Sequence, residues 1–417
     1  MQPKTSLLFL ALFSSSTLAH GQDFGPQQEL TSTAVGASAV SCVDLDGDGD
    51  LDLLAGSTDD RKVFWHENQG AGVFSAQKVL ATTVESIGQV EAADLDGDGD
   101  LDVLALGGWE NQVIWMENLG GGHFGPKTVI SVLYNDPAHS ASIADLDGDG
   151  DLDVVVSMDA GDGGVFGWFE NDGFGGFSIL MNTLGAGAFT GPFWVGTDDL
   201  DGDGDSDIVL TLVFENLGGG LFGMGTDSPS SFGNVTGLFA ADVDSDGDTD
   251  VLAAGSLGLR WYSNDGSGAL SGVQTFPFGP ASASAISAGD LDGDGILDMA
   301  SALEAEDQIT WYRGLGGGSF GFGNNLSQSA SDVREIIAAD LDGDGDTDVV
   351  SLATGSSHMA LYEGLGNGDF EQQVTISIEA GQPTSGQAAD LNGDGALDLL
   401  VSSLSDTKVG WFPNIGG

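Results

Sequence analysis

The side chains best placed to do chemistry come in eight copies of one nine-residue acidic stretch, and the first reads Asp44, Leu45, Asp46, Gly47, Asp48, Gly49, Asp50, Leu51, Asp52. Positions 1, 3, 5, 7 and 9 of the later copies are Asp94, Asp96, Asp98, Asp100 and Asp102; Asp145, Asp147, Asp149, Asp151 and Asp153; and Asp199, Asp201, Asp203, Asp205 and Asp207. They continue as Asp242, Asp244, Asp246, Asp248 and Asp250; Asp290, Asp292, Asp294, Ile296 and Asp298; Asp340, Asp342, Asp344, Asp346 and Asp348; and Asp390, Asn392, Asp394, Ala396 and Asp398. Positions 1, 5 and 9 are always Asp, position 3 is Asp or once Asn, and position 6 is always Gly. Position 7 tolerates Ile296 and Ala396.

A hard cation accounts for this pattern. Calcium takes six to eight oxygens, and loops of this type offer carboxylates at alternate positions and a backbone carbonyl at position 7, where the side chain is immaterial. Glycine at position 6 permits the sharp turn that returns the last ligand. Asn392 still offers an oxygen. A solvated Asp-Gly turn needs no such alternation. Magnesium demands stricter octahedral geometry and keeps its waters, and the all-oxygen set disfavours zinc. The expected cofactor is therefore Ca²⁺, up to eight ions.

The elements that must position these loops can be read from their flanks and spacing. Successive copies start 50, 51, 54, 43, 48, 50 and 50 residues apart, a period that signals a propeller, solenoid or array. The loops run into LDLLAGS, LDVLALG, LDVVVSM and TDVVSLA, short β-branched runs that read as strands rather than helices. One repeat lays out as strands over residues 87–93, 101–106, 112–116 and 123–130, with the acidic loop between the first two. Four strands per repeat, eight times over, predict an all-β, eight-bladed β-propeller. In the fourth repeat only seven residues separate Asp207 from Phe214, against thirteen from Asp102 to Trp115, which leaves seven blades plus an irregular one open.

An apolar or aromatic residue opens the fourth strand of most repeats: Phe74, Phe124, Phe177, Phe222, Leu270, Phe320 and Phe370. The last repeat stops short of one. The missing piece stands at the start of the chain, where Asp23-Phe24-Gly25-Pro26 parallels His123-Phe124-Gly125-Pro126. The N-terminal strand is therefore expected to complete the eighth blade and close the ring.

The chain resembles the FG-GAP or VCBS-type calcium-binding repeats, related to the N-terminal propeller of integrin α subunits, from about residue 22 onward. The acidic loops carry the likeness, with Phe-Gly at Phe24-Gly25, Phe124-Gly125, Phe222-Gly223 and Phe320-Gly321. The Gly-Ala-Pro element of the family name is poorly matched. The resemblance implies the propeller fold and the calcium sites, but no integrin ligand or partner subunit; the expected role is a secreted binding module for adhesion or for glycan or protein recognition.

The chain has 417 residues and a formal net charge of −56, and 37 of its 65 acidic side chains lie in the nine-residue loops. Eight Ca²⁺ would bring the charge to about −40 by addition. Such a surface repels nucleic acid and anionic membranes. Lys4, an apolar run from Leu7 to Phe13 and a small-residue stretch to Ala19 read as a signal peptide over 1–21, cleaved after Ala19 or Gly21, ahead of a single propeller over 22–417. Secretion to the cell exterior or cell surface follows, and no later segment is long and apolar enough to span a membrane. The lone Cys42 precludes an internal disulfide, so extracellular calcium would take over the stapling role.

Trp65, Trp115, Trp168, Trp261, Trp311 and Trp411 recur in register and read as packing between blades. Trp109 and Trp194 break that register. The face opposite the calcium loops is the expected ligand surface, with Arg61, Trp109, Tyr134, His139, Arg334 and His358 as candidates and Glu304, Glu306 and Asp307 beside them. Aromatic platforms with sparse polar groups suit a glycan or protein ligand. No nucleophile elbow, zinc-helix motif or Cys-His pair appears. The catalytic alternative is a polysaccharide lyase or glycosidase, and the third reading is a structural surface component. After signal removal only eight Lys and Arg remain, too few to bind an acidic polysaccharide well without a bridging cation.

Overall fold

Each run that leads into an acidic loop is a strand, and each loop returns the chain antiparallel to it. The computed structural model describes residues 24–31, 34–107, 112–132, 138–159, 164–180, 194–210, 213–223, 235–268, 270–276, 282–303, 307–327, 330–377, 381–405 and 408–416. The expected signal peptide lies outside them. The described residues form eight antiparallel sheets and no helix, in sequence order around the ring. The protein is an eight-bladed β-propeller.

Blade 2 is representative. Ile87–Ala93, Asp102–Gly107, Gln112–Met116 and Thr128–Val132 pair in that order, each with the next. The second strand, Asp102–Gly107, is buried at every position. A strand covered on both faces reads as an unbroken apolar run, which explains LDVLALG. The expected fourth strand, 123–130, is displaced. Phe124 meets Asn118 only as an isolated bridge, and the ladder resumes at Thr128. Pro126 lies in the gap and has no N–H to donate. Phe74, Phe222 and Phe370 make the same isolated bridge in their own blades.

Blade 4 is the irregular one. Among the described residues its sheet has three strands, Gly196–Asp198, Asp207–Val209 and Val213–Phe214, the last joined through the pair Val209↔Val213. The shortened spacing leaves room for only a three-residue second strand and a two-residue third. The eighth blade is closed as expected: Gln28–Thr31 pairs antiparallel with Lys408–Phe412, and Phe24 bridges Asn414.

The core sits between blades. Eight apolar clusters line the eight interfaces, each drawing side chains from two neighbouring blades. All the recurring tryptophans but Trp115 belong to them. Trp65 of blade 1 meets Phe124 of blade 2 edge-on at 6.1 Å. Trp115–Phe177, Trp168–Phe222, Trp311–Phe370 and Trp411–Phe74 repeat the contact around the ring. Such T-shaped pairs contribute about 0.5–1.5 kcal/mol beyond buried area. The Trp65 ring also lies on Gly122, where a Cβ would stand 2.6 Å from it at a φ of +68°, so that turn position admits only glycine.

Candidate metal centres

In every blade the ninth loop residue is the first of the second strand and pairs with the last of the first, as in Val43↔Asp52 and Ala93↔Asp102. Its carboxylate is buried and its two oxygens divide the work. In blade 2, Asp102 Oδ2 accepts from the Leu95 N–H at 3.1 Å and Oδ1 from the Asn118 N–H at 2.7 Å. The other seven blades repeat both bonds. Burial pushes these carboxyls up, to about 7 for Asp52, Asp153 and Asp298 and to about 8 for Asp348, against the lowering effect of the two N–H bonds.

The loop then wraps around its own first carboxylate. The N–H of glycine 6 donates to the Oδ2 of Asp 1 in all eight copies, from 2.8 Å for Gly295 to Asp290 to 3.2 Å for Gly99 to Asp94. Glycine 6 has a φ between 82° and 102°, the left-handed region that glycine adopts without cost. Position 4 is left-handed as well and holds Gly except for Ser245, at a φ of 64°. Sequence reasoning missed that requirement, although Gly in seven of eight copies signals it.

These turns crowd the carboxylates together. Asp44, Asp46 and Asp48 offer oxygens within 4.8 Å of one another, as do Asp94, Asp96 and Asp98; Asp145, Asp147 and Asp153; Asp199, Asp201 and Asp203; and Asp242, Asp244 and Asp246. Seven such groups occur among the described residues. Ligand distances of about 2.4 Å put opposite oxygens of a calcium shell roughly 4.8 Å apart, so the spacing suits one ion. Buried oxygens without a hydrogen-bond partner, Asp94 Oδ1, Asp199 Oδ1 and Asp244 Oδ1, are the donors a cation would satisfy. Burial raises Asp46, Asp96, Asp147 and Asp342, and the nearby charges that add to it include Glu67, Glu117, Glu170 and Glu363. A divalent ion would relieve that repulsion. These donor sets fit a hard metal ion, and in blade 6 Arg313 pairs with two of the loop's carboxylates.

Blade 6 carries Arg313 where blades 1–4 and 7 carry Glu67, Glu117, Glu170, Glu215 and Glu363. Its Nε lies 2.6 Å from Asp292 Oδ2 and its Nη2 lies 2.9 Å from Asp294 Oδ2. The guanidinium's hydrogen bond holds the Asp294 carboxyl below its ordinary value.

An asparagine after the third strand ties each loop to its neighbour. Asn118 Nδ2 donates to Leu45 O of blade 1 at 2.7 Å and to Leu101 O of its own blade at 3.0 Å. Asn171, Asn216, Asn264, Asn414 and Asn68 do the same, the last joining blade 1 to Leu391 of blade 8. Blades 6 and 7 have Gly314 and Gly364 instead.

The candidate ligand residues are scattered among local contacts. Trp109, Tyr134, Glu304 and Glu306 lie outside the described residues. Arg61 pairs with Glu85 at 2.7 Å, Arg334 with Asp332 at 3.2 Å, and His358 Nε2 faces Gln373 Nε2 at 3.4 Å. His139 lies on the first strand of blade 3. Arg61, Asp307 and Ser357 share a left-handed φ of 50–58° just before their third strands, which marks a turn requirement common to three blades. The sequence reading also passed over the opposite face. Leu119, Leu217, Leu315, Leu365 and Ile415 hold one repeat position in the turns beside the acidic loops and are 42–67% exposed.

The FG-GAP-like repeat pattern matches residues 44–105, 104–156, 242–301, 290–351 and 340–401, well over half of the chain. The chain belongs to the FG-GAP-like repeat family. No curated protein sequence matches it significantly. Among solved structures this FG-GAP-like propeller is similar to the V. cholerae biofilm matrix protein Bap1, at 11% identity and a TM-score of 0.55 over 95% of this chain and 91% of that one. It is also similar to Chaetomium thermophilum Sqt1 bound to the N-terminus of a ribosomal protein, at 9% identity and a TM-score of 0.58 over 94% and 100%. An Agrocybe aegerita lectin that recognises terminal N-acetylglucosamine aligns at 19% identity over 83% and 81%, with a TM-score of 0.47. These likenesses concern the fold alone. Among the described residues no helix is long and apolar enough to cross a membrane.

Proposed function

We propose that this FG-GAP-like propeller is a secreted, calcium-stabilised binding module that recognises an extracellular glycan or protein ligand. The observation that carries the reading is the set of crowded carboxylates, some with buried oxygens left without partners, at the same point of successive blades. Calcium bound there stiffens the connection between the first two strands of each blade and leaves the opposite face to the ligand. The residues proposed to meet the ligand are Arg61, His139, Arg334 and His358, together with Trp109 and Tyr134, which lie outside the described residues. The strong negative charge turns the choice of partner away from nucleic acid and anionic membranes. Family membership and a fold shared with a biofilm matrix protein support a role outside the cell.

The test is binding of calcium-loaded mature protein to a broad array of glycans and extracellular proteins, repeated with chelator. A hit that chelator abolishes supports the module. Binding indifferent to chelator would contradict calcium dependence, and a blank array would contradict the binding role.

A further inference from the structure

We propose that the sixth loop, Asp290 to Asp298, holds no calcium because Arg313 already serves as its cation. The inference rests on the calcium reading above and marks an exception within it. Two of the loop's carboxylates, at positions 3 and 5, are engaged by one planar guanidinium at 2.6 and 2.9 Å. These positions supply side-chain oxygens to a bound calcium. The loop also differs in burial: Asp292 is 6% exposed, whereas every other third-position residue is only partly buried.

Three further features of blade 6 agree. Position 7 is Ile296, so the loop has four carboxylates where blade 2 has five. The residue that adds a sixth carboxylate beside loop 2, Glu117, is here replaced by the positive charge. Gly314, like Gly364 of blade 7, replaces the asparagine that in the other six blades ties the blade to the preceding loop. A guanidinium cannot be deprotonated at any pH of interest, so a divalent ion would have to displace it and then sit beside it. Loop 8 has still fewer acids, Asp390, Asp394 and Asp398. No ion pair among the described residues engages them, so reduced charge alone does not mark a loop as closed to calcium.

The experiment counts bound calcium by native mass spectrometry on the intact mature protein and on four folded variants, with circular dichroism as the check on folding. Wild type is expected to carry at most seven ions. Replacing both Asp94→Asn and Asp98→Asn should remove one ion, whereas Asp290→Asn with Asp294→Asn should remove none. Arg313→Gln should add one, and R313E should do so with higher affinity. Eight ions in wild type, or loss of one ion from the Asp290/Asp294 variant, would overturn the inference while leaving the calcium reading intact. No calcium in any of them would overturn both.

Discussion

The ninth aspartate of each loop and the seventh do opposite jobs, although both sit in one acidic run. Asp102 is buried and satisfies two backbone N–H groups on different segments. Asn at that site has one accepting oxygen and would set an amide N–H against an N–H. Asp102→Asn should therefore cost about 1–3 kcal/mol in denaturant unfolding at saturating calcium. Asp100→Asn should stay within about 0.5 kcal/mol, because position 7 already accepts Ile296 and Ala396. A second contrast involves residues five before the loop. Gln89 both donates to Ala141 O and accepts from Ala141 N–H. Glu335, at the same repeat position, accepts from the Gly386 N–H at 2.8 Å, and burial pushes its carboxyl up to about 7. The native state thus holds a proton that the unfolded chain releases near pH 4.5. Glu335 contributes its full share of stability below that pH and loses it as pH rises towards 7. Glu335→Gln should be close to neutral at pH 4.5 and stabilising by on the order of 1 kcal/mol at pH 8. Melts at the two pH values check this, and an equal effect at both would contradict it.

At the scale of elements, the blades are joined by polar ties as well as apolar contact. Asn118→Ala should leave Leu45 O and Leu101 O unpaired and cost about 1–3 kcal/mol. Hydrogen exchange should show the loosening at both loop 1 and loop 2, since the tie spans both blades. The two interfaces that flank blade 6 lack this asparagine, so blade 6 should exchange fastest among the regular blades. Much of this level was legible in the sequence. The acidic loops could be read because all their donors lie within nine consecutive residues. The strands could be read because the loops mark where each begins. The ties could not be read, because Asn118 and Leu45 lie 73 residues apart and a repeated Asn after a strand looks like a turn former. The tryptophans were visible in register, but their stacking on Phe and Gly of the next blade depends on the ring having closed. Arg313 was visible only as one of a few scattered cations until the fold placed it over Asp292 and Asp294. The fourth strand was drawn too early because Phe124 announces it before Pro126 interrupts it.

At the scale of the molecule, eight thin interfaces share the core, and the ring has no disulfide to hold it. Its first and last segments meet in one blade, where Gln28–Thr31 pairs with Lys408–Phe412. The stability of the whole then depends on what relieves the crowded carboxylates. If a site binds only the folded chain and calcium stands at about 100 times Kd, each site adds roughly 2.7 kcal/mol. The most direct test is thermal unfolding of the protein in millimolar calcium, in chelator, and in magnesium. The account predicts a Tm that falls by well over 10 °C in chelator, returns with calcium and recovers little with magnesium. A Tm that is the same in calcium and in chelator would contradict it.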